Sequence, residues 1–348
     1  MDFELSDDEV ALGEGIRRLC AGRFPLDRLR RTEGQRVVVE PEGWLELAEA
    51  GVFSLRLPES SGGLGLGMAA AAVVFEELGR ALVPGPLVSS HVAAVVLEPL
   101  DQVADGPVGH LIDYRAVAEG KLVVGAICRP GHASTDRSAG LVPVVIGNLE
   151  SLGALVVVTD DAIHAVDPAS LDAEPVQRSL DPLHPLWHLR HLPLGERIAG
   201  PESAARFLRE FVVLESALLI GMAAATTDMA VEYAQHREQF GRAIGSFQAV
   251  KHLCADMLVR AELARAAVHA AAVTLDQPDV GDADRAVWGA AVLAAEAAQA
   301  NGKSCIQVHG GMGFTWEVPA HLYMMRSRVV SGSLGDLGQL AERVAGRY

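Results

Sequence analysis

The apolar positions change period twice along the chain. Near the front, Ser6 precedes Glu9 by three residues, and Val10, Leu12, Ile16 and Leu19 follow at helical spacing, which predicts a capped helix over residues 5–23. Pro41–Ala50 predicts a short helix ending at Gly51, Gly51–Pro58 an extended apolar link, and Met68–Leu82 an Ala-rich amphipathic helix. Pro84 and Pro86 interrupt that helix, and Leu87–Leu97 resumes it. Past Glu119 the period shortens. Lys121–Ile127, Leu141–Ile146, Ala154–Val158, Ala162–Val166, Glu174–Leu180 and Trp187–Leu192 are short Val- and Ile-rich runs between turn residues, which predict strands. From Pro201 the pattern is helical again. Ser203–Gln235, Gln248–Leu275, Gly281–Val308 and Pro319–Gly346 predict four long helices with short connections, an antiparallel bundle. The expected fold is therefore mainly α with a central β domain: a helical N-terminal domain over 1–118, a β middle domain over 119–198 and a helical bundle over 199–348.

Composition narrows the function. The 348 residues suffice for two or three domains, and with 50% apolar but only 5% aromatic residues the core must be built from Ala, Leu and Val. A net charge of −16 argues against a nucleic-acid partner and against an anionic membrane surface. Cys20, Cys128, Cys254 and Cys305 stand far apart with no C-x-x-C pair, as expected of reduced thiols in a cytoplasmic protein. The acidic N-terminus lacks the basic and apolar regions of a signal peptide, and the most apolar stretch, Phe211–Ala225, is broken by Glu215; a soluble protein is expected. His184, His188 and His191 fit no common metal-ligand spacing. The glycines of Gly62–Gly67 lack the strand before and the acid after that a dinucleotide loop requires, and read as a helix-entry loop.

The candidate chemistry sits in Tyr233–Gln248, YAQHREQFGRAIGSFQ. Arg237, Gln239 and Phe240 bring a cation, an amide and an aromatic ring together, and Gly241 and Gly245 then oppose helix. A guanidinium and a ring so placed suit a ligand with a phosphate and a flat ring; a plain helix terminus is the other reading.

This stretch resembles the signature of acyl-CoA dehydrogenases, R-x-Q-F-G-x-x-I-x-x-F-Q, in which Arg237, Gln239, Phe240, Gly241, Ile244, Phe247 and Gln248 match position for position. Gln307–Gly313, QVHGGMG, with Phe314, Glu317 and Pro319, resembles a second family signature, and Leu57–Gly67, LPESSGGLGLG, a third. The resemblance implies a helical N-domain, a small β-barrel-like middle domain and a C-terminal four-helix bundle. It implies oxidation of an acyl-CoA thioester to its α,β-enoyl form, with FAD as hydride acceptor and electron-transfer flavoprotein as the next acceptor. It places Arg237 and Gln239 at the pyrophosphate of FAD and Phe240 at its adenosine half, with Gln248, Gln307, Gly310 and Gly311 completing the grip and His309 between them.

Two family features are missing. Val123–Arg137 keeps only echoes of the family's β-domain flavin segment, in Pro130, Gly131 and Ser134–Asp136. The usual catalytic glutamate falls on Leu334, with Asp336 nearby, and the alternative position on the preceding helix falls on Phe211, beside Glu210. Half a flavin site without a base resembles the shorter subunit of actinobacterial α2β2 acyl-CoA dehydrogenases of steroid side-chain catabolism, whose longer partner carries the base and shares the FAD across the subunit interface. The alternatives are a self-sufficient homomeric enzyme with Glu210 as base, and a non-catalytic scaffold of the same fold. A lone glutamate near a helix start otherwise reads as a solvated residue favoured by the helix dipole.

Overall fold

The box spelled by Ser6 and Glu9 opens the first helix: the Glu9 amide donates to Ser6 Oγ at 3.3 Å and the Ser6 amide to Glu9 Oε2 at 2.9 Å. The computed structural model describes residues 5–101, 112–129, 144–335 and 337–346. In order these form α1 (Asp7–Arg23), α2 (Leu26–Arg30), α3 (Pro41–Glu49), α4 (Met68–Arg80), α5 (Leu87–Asp101), α6 (Tyr114–Ala118), β1 (Val124–Cys128), β2 (Val144–Gly147), β3 (Ala154–Val158), β4 (Ile163–Val166), β5 (Ala173–Pro175), β6 (Leu186–Leu189) and β7 (Glu196–Ala199). Then follow α7 (Pro201–His236), β8 (Glu238–Gln239), β9 (Arg242–Ala243), α8 (Gln248–Asp276), α9 (Ala283–His309), α10 (Ala320–Ser333) and α11 (Leu337–Ala345). No helix among the described residues is long and apolar enough to cross a membrane.

By compactness the chain forms two units. One contains residues 27–71 and 84–211. Its sheets are a four-stranded one, ordered β1-β3-β4-β7 with β1 parallel to β3 and the other pairs antiparallel, and an antiparallel three-stranded one, ordered β2-β6-β5. Leu155, Val157 and Val166 of the first share a core with Ile146, Trp187 and Leu189 of the second. Every residue of β3 is buried, which is why its sequence is an unbroken apolar run without alternation. The expected barrel does not form: the described strands make two separate sheets. Leu141–Ile146 is described only from Val144, and Glu174–Leu180 is strand only as far as Pro175. Gly51–Pro58 is not extended. Gly51 adopts φ +83°, the Ser54 and Leu55 amides bond back to its carbonyl, and Val52, Phe53, Leu55 and Leu57 are all buried in the resulting turns. The glycine loop after it approaches its own chain, since a Cβ on Gly63 would lie 2.1 Å from the Leu57 carbonyl oxygen.

The other unit contains the chain up to Leu26, residues 72–83 and 212–348. Here α4 and α7 cross at glycines: a Cβ on Gly79 would meet Leu218 O at 2.1 Å and one on Gly221 would meet Glu76 O at 1.9 Å. Beside this crossing Glu76 accepts from Arg265 Nε at 2.9 Å and Nη2 at 2.8 Å. The buried Asn301 of α9 ties three helices: its Nδ2 donates to Met257 O at 2.8 Å on α8 and to Thr227 Oγ1 at 3.1 Å on α7. The last predicted run, Pro319–Gly346, is two helices, because α10 ends at Ser333 and Gly335 turns left-handed at φ +98°.

Candidate functional site

The Arg237 segment leaves α7 as a tight hairpin. The Arg237 amide closes on Tyr233 O at 2.8 Å, β8 pairs with β9, and the Ile244 amide donates to Arg237 O at 2.8 Å. The hairpin turn falls on Phe240 at φ +55° and Gly241 at φ +76°, both left-handed as the tightest two-residue turn demands. A bulky aromatic rarely accepts that conformation. It holds the Phe240 ring out in solvent, 93% exposed and perpendicular to the Phe247 ring, with the centroids 6.1 Å apart. The Arg242 guanidinium lies 4.2 Å over the Phe247 ring. A Cβ on Gly245 would lie 2.8 Å from Ala234 O, so this glycine lets the returning strand rest against α7.

The second segment ends α9. Gly310 turns to φ +61°, and Gly310–Phe314 make a short 3-10 turn in which Gly313 passes so near α9 that a Cβ would stand 2.5 Å from Ile306 O. The two segments meet through their roots. The rings of Tyr233 and His309 stack with centroids 4.2 Å apart, and Ala230, Ala234, Cys305, Ile306 and Val308 share one core cluster. His309 is buried, with Nδ1 2.8 Å from the Cys305 carbonyl oxygen. It joins the segments from within and presents nothing to solvent.

Around this joint Arg237, Gln239, Phe240, Gln248, Gln307, Gly310 and Gly311 are all exposed. The Arg237 guanidinium makes no hydrogen bond or ion pair among the described residues. Gln239 Nε2 donates to Glu238 O at 2.7 Å. A Cβ on Gly310 or Gly311 would meet nothing within 4 Å, so the backbone there is open to close approach. Phe314, which belongs to the second family signature, and Trp316 just beyond it are 85% and 59% exposed; Trp316 stands in no signature, although a second large ring just after a glycine turn was a signal. Chemically, the corner offers a free cation, side-chain amides, uncovered backbone and aromatic faces, a set suited to a diphosphate joined to flat rings.

The candidate bases lie elsewhere. Glu210 on α7 is not solvated, contrary to the expectation for a lone acid near a helix start. It is 5% exposed, and Arg56 grips it with Nη1 2.7 Å from Oε2 and Nη2 3.0 Å from Oε1, while Arg206 Nε adds a bond to Oε1 at 2.8 Å. Burial alone would raise its pKa, but the charge and hydrogen bonds of Arg56, then those of Arg206, outweigh burial and hold the carboxyl below the ordinary glutamate range. Leu334 caps the C-terminal end of α10 and is buried and apolar. Asp336 and the Pro130, Gly131 and Ser134–Asp136 echoes lie outside the described residues. Among the described residues no three His, Cys, Asp or Glu gather as metal ligands.

Comparison with known proteins agrees with this architecture. The pattern of the acyl-CoA dehydrogenase N-terminal domain matches residues 6–105 and that of the C-terminal domain residues 202–347. The chain is 37% identical over 305 residues to acyl-CoA dehydrogenase FadE34 of Mycobacterium tuberculosis, a match covering 86% of this chain and 41% of that protein, so it spans less than half the length of that relative. It is 33% identical over 285 residues to acyl-CoA dehydrogenase IpdE2 of Mycobacterium tuberculosis, covering 82% of this chain and 79% of the relative. The fold is also that of a chain in the ChsE4-ChsE5 complex from Mycobacterium tuberculosis (TM-score 0.82, 24% identity, 100% and 98% covered). A chain of the Tcur3481-Tcur3483 steroid ACAD G363A variant shares it too (TM-score 0.82, 23% identity, 98% and 97% covered). With both domain patterns on its sequence and the helical, sheet and bundle elements in the matching order, the chain belongs to the acyl-CoA dehydrogenase family.

Proposed function

We propose that this chain is one subunit of a cytoplasmic, flavin-dependent acyl-CoA dehydrogenase that α,β-desaturates a CoA thioester, and that it completes an FAD site held mainly by a longer partner subunit in an α2β2 assembly. The observation that carries this reading is the exposed corner: Arg237 has no partner among the described residues, and Phe240 is 93% exposed in a left-handed turn. A chain gains nothing from that arrangement in isolation, whereas a diphosphate brought by a partner would meet the guanidinium and the open turn backbone at Gly310–Gly311. In this reading Arg237 and Gln239 hold the pyrophosphate, Phe240 covers the adenosine half, and Gln248 and Gln307 complete the grip. FAD, when bound, would supply the hydride acceptor, and electron-transfer flavoprotein would be the onward electron acceptor.

Removal of the α-proton then belongs to a carboxylate of the partner. Leu334 has no proton-accepting atom, and both Glu210 oxygens are engaged by guanidinium groups. A steroid side-chain acyl-CoA is the proposed substrate, supported by the fold shared with the Tcur3481-Tcur3483 steroid ACAD; the two-component names of both structural neighbours support a heteromeric assembly. The proposed domain limits are 1–118, 119–198 and 199–348.

The test is expression of the chain alone and together with a longer acyl-CoA dehydrogenase chain, followed by gel filtration and flavin quantification. The expected result is FAD and acyl-CoA-dependent dye reduction in the co-expressed complex and neither in the lone chain. Stoichiometric FAD on the lone chain would refute the proposal.

A further inference from the structure

The bundle carries a second cluster of cations apart from the Arg237 corner. Arg260 of α8, Glu296, Gln299 and Lys303 of α9, and Met324 and Arg328 of α10 line a cavity of ≈ 450 Å³. Its walls are fixed from behind. Arg260 Nε donates to Asn301 Oδ1 at 2.8 Å and Nη2 to Ser304 Oγ at 3.2 Å, and Asn301 is itself the buried tie between α7, α8 and α9. Gln299 Nε2 donates to Ser331 Oγ at 3.1 Å, joining α9 to α10. Lys303 and Arg328 are exposed and make no hydrogen bond or ion pair among the described residues.

In a chain of net charge −16 the long-range field repels anions, so three cations around one cavity are a local exception. Against the single carboxylate of Glu296 they leave two positive charges, which matches a phosphomonoester near neutral pH. The cavity is larger than a lone phosphate needs and lies in the size range of small-molecule sites. Met324 and the aliphatic stems of the cationic side chains supply apolar wall for the rest of such a ligand.

We propose that this face is an anion site for the phosphate group of a small organic phosphomonoester, with the Arg260 fork pre-set by Asn301 and with Lys303 and Arg328 closing on the phosphate. It shares no residue with the Arg237 corner and stands whether or not that corner holds flavin.

The experiment is isothermal titration of the full chain with adenosine 3′,5′-bisphosphate and, separately, with inorganic phosphate, in low salt and again at higher salt. The expected result is saturable binding of one bisphosphate per chain, weakened by salt and at least about tenfold tighter than inorganic phosphate. Equal affinity for both probes would still support the site while making free phosphate its ligand. The Lys303→Ala/Arg328→Ala double variant, two surface changes that leave the Asn301 tie intact, should weaken binding at least about tenfold. Arg237→Ala, which removes any binding of the adenosine probe at the other corner, should leave the part of the binding that depends on Lys303 and Arg328 unchanged. Absence of saturation by either probe up to about 10 mM, or undiminished binding in the double variant, overturns the proposal.

Discussion

Replacing Glu210 by Gln separates two readings of one residue. Its carboxylate is 6% exposed and faces the Arg56 guanidinium, 9% exposed, in a bidentate pair, with Arg206, 43% exposed, on one of the same oxygens. Removing one partner of a buried pair leaves the other charge unmet and costs about 3–5 kcal/mol. Gln keeps one acceptor oxygen for Arg56 and the exposed Arg206 contributes little, so the lower end, about 3 kcal/mol, is expected. At about 2–4 °C per kcal/mol, that lowers the thermal midpoint by roughly 6–12 °C. Because the folded carboxyl titrates below its ordinary value of 4.5, its contribution is present above that pH and is lost as pH falls through the lower folded value. The variant should therefore show its deficit at neutral pH and lose less than wild type on acidification. The assay is a set of thermal scans from pH 3 to pH 7, paired with turnover of the assembled complex. Turnover should change by less than about tenfold. If instead the midpoint stays put and turnover collapses by about 10² to 10⁴ with flavin still bound, Glu210 is a base and the ion-pair account is wrong.

Two further outcomes follow from the helical unit. Gly221→Ala puts a Cβ 1.9 Å from the Glu76 carbonyl oxygen, so α4 and α7 must separate; a loss of at least about 1–3 kcal/mol is expected in thermal or denaturant unfolding, and an unchanged midpoint would contradict the close crossing. Desolvation raises the Glu215 carboxyl to about 8, a rise only partly opposed by Arg326. The folded state then holds this proton while the unfolded chain has released it, so stability should fall as pH rises from about 4.5 to about 8. Glu215→Gln should flatten that slope in the same scans, and an identical slope in both proteins would count against it.

What could be read in the residues depended on how local the cause was. The Ser6–Glu9 box, the unbroken apolar run of β3 and the first three of the four long helical periods each act within a few turns of chain, and those elements formed where expected. Gly51–Pro58 misled because its apolar residues are buried by turns, and buried turns have no period of their own. The single left-handed Gly335 divided a run whose apolar spacing continues across it. Glu210 could not be read locally, since its main partner Arg56 is 154 residues away in sequence. The corner was visible as two motifs, because both are short and chemically unusual. Their joint was not, because the Tyr233–His309 stack links helices whose ends are far apart in sequence. The hairpin turn at Phe240 was hidden as well, since an aromatic residue is among the least expected at positive φ.

The central claim, that this chain completes a flavin site across a subunit boundary, is tested most directly at Arg237. Its fork can give two charge-assisted hydrogen bonds to phosphate oxygens, worth about 1.5–3 kcal/mol, so Arg237→Ala should weaken flavin affinity roughly ten- to hundredfold. Arg237→Lys keeps the charge, loses the fork and should fall between. Because Arg237 is exposed and unpartnered among the described residues, neither change should alter folding of the chain itself. The measurement is FAD retained per assembled complex after dialysis, for wild type and both variants at matched circular dichroism. The account predicts retention in the order wild type, Lys, Ala; equal retention in all three would contradict it.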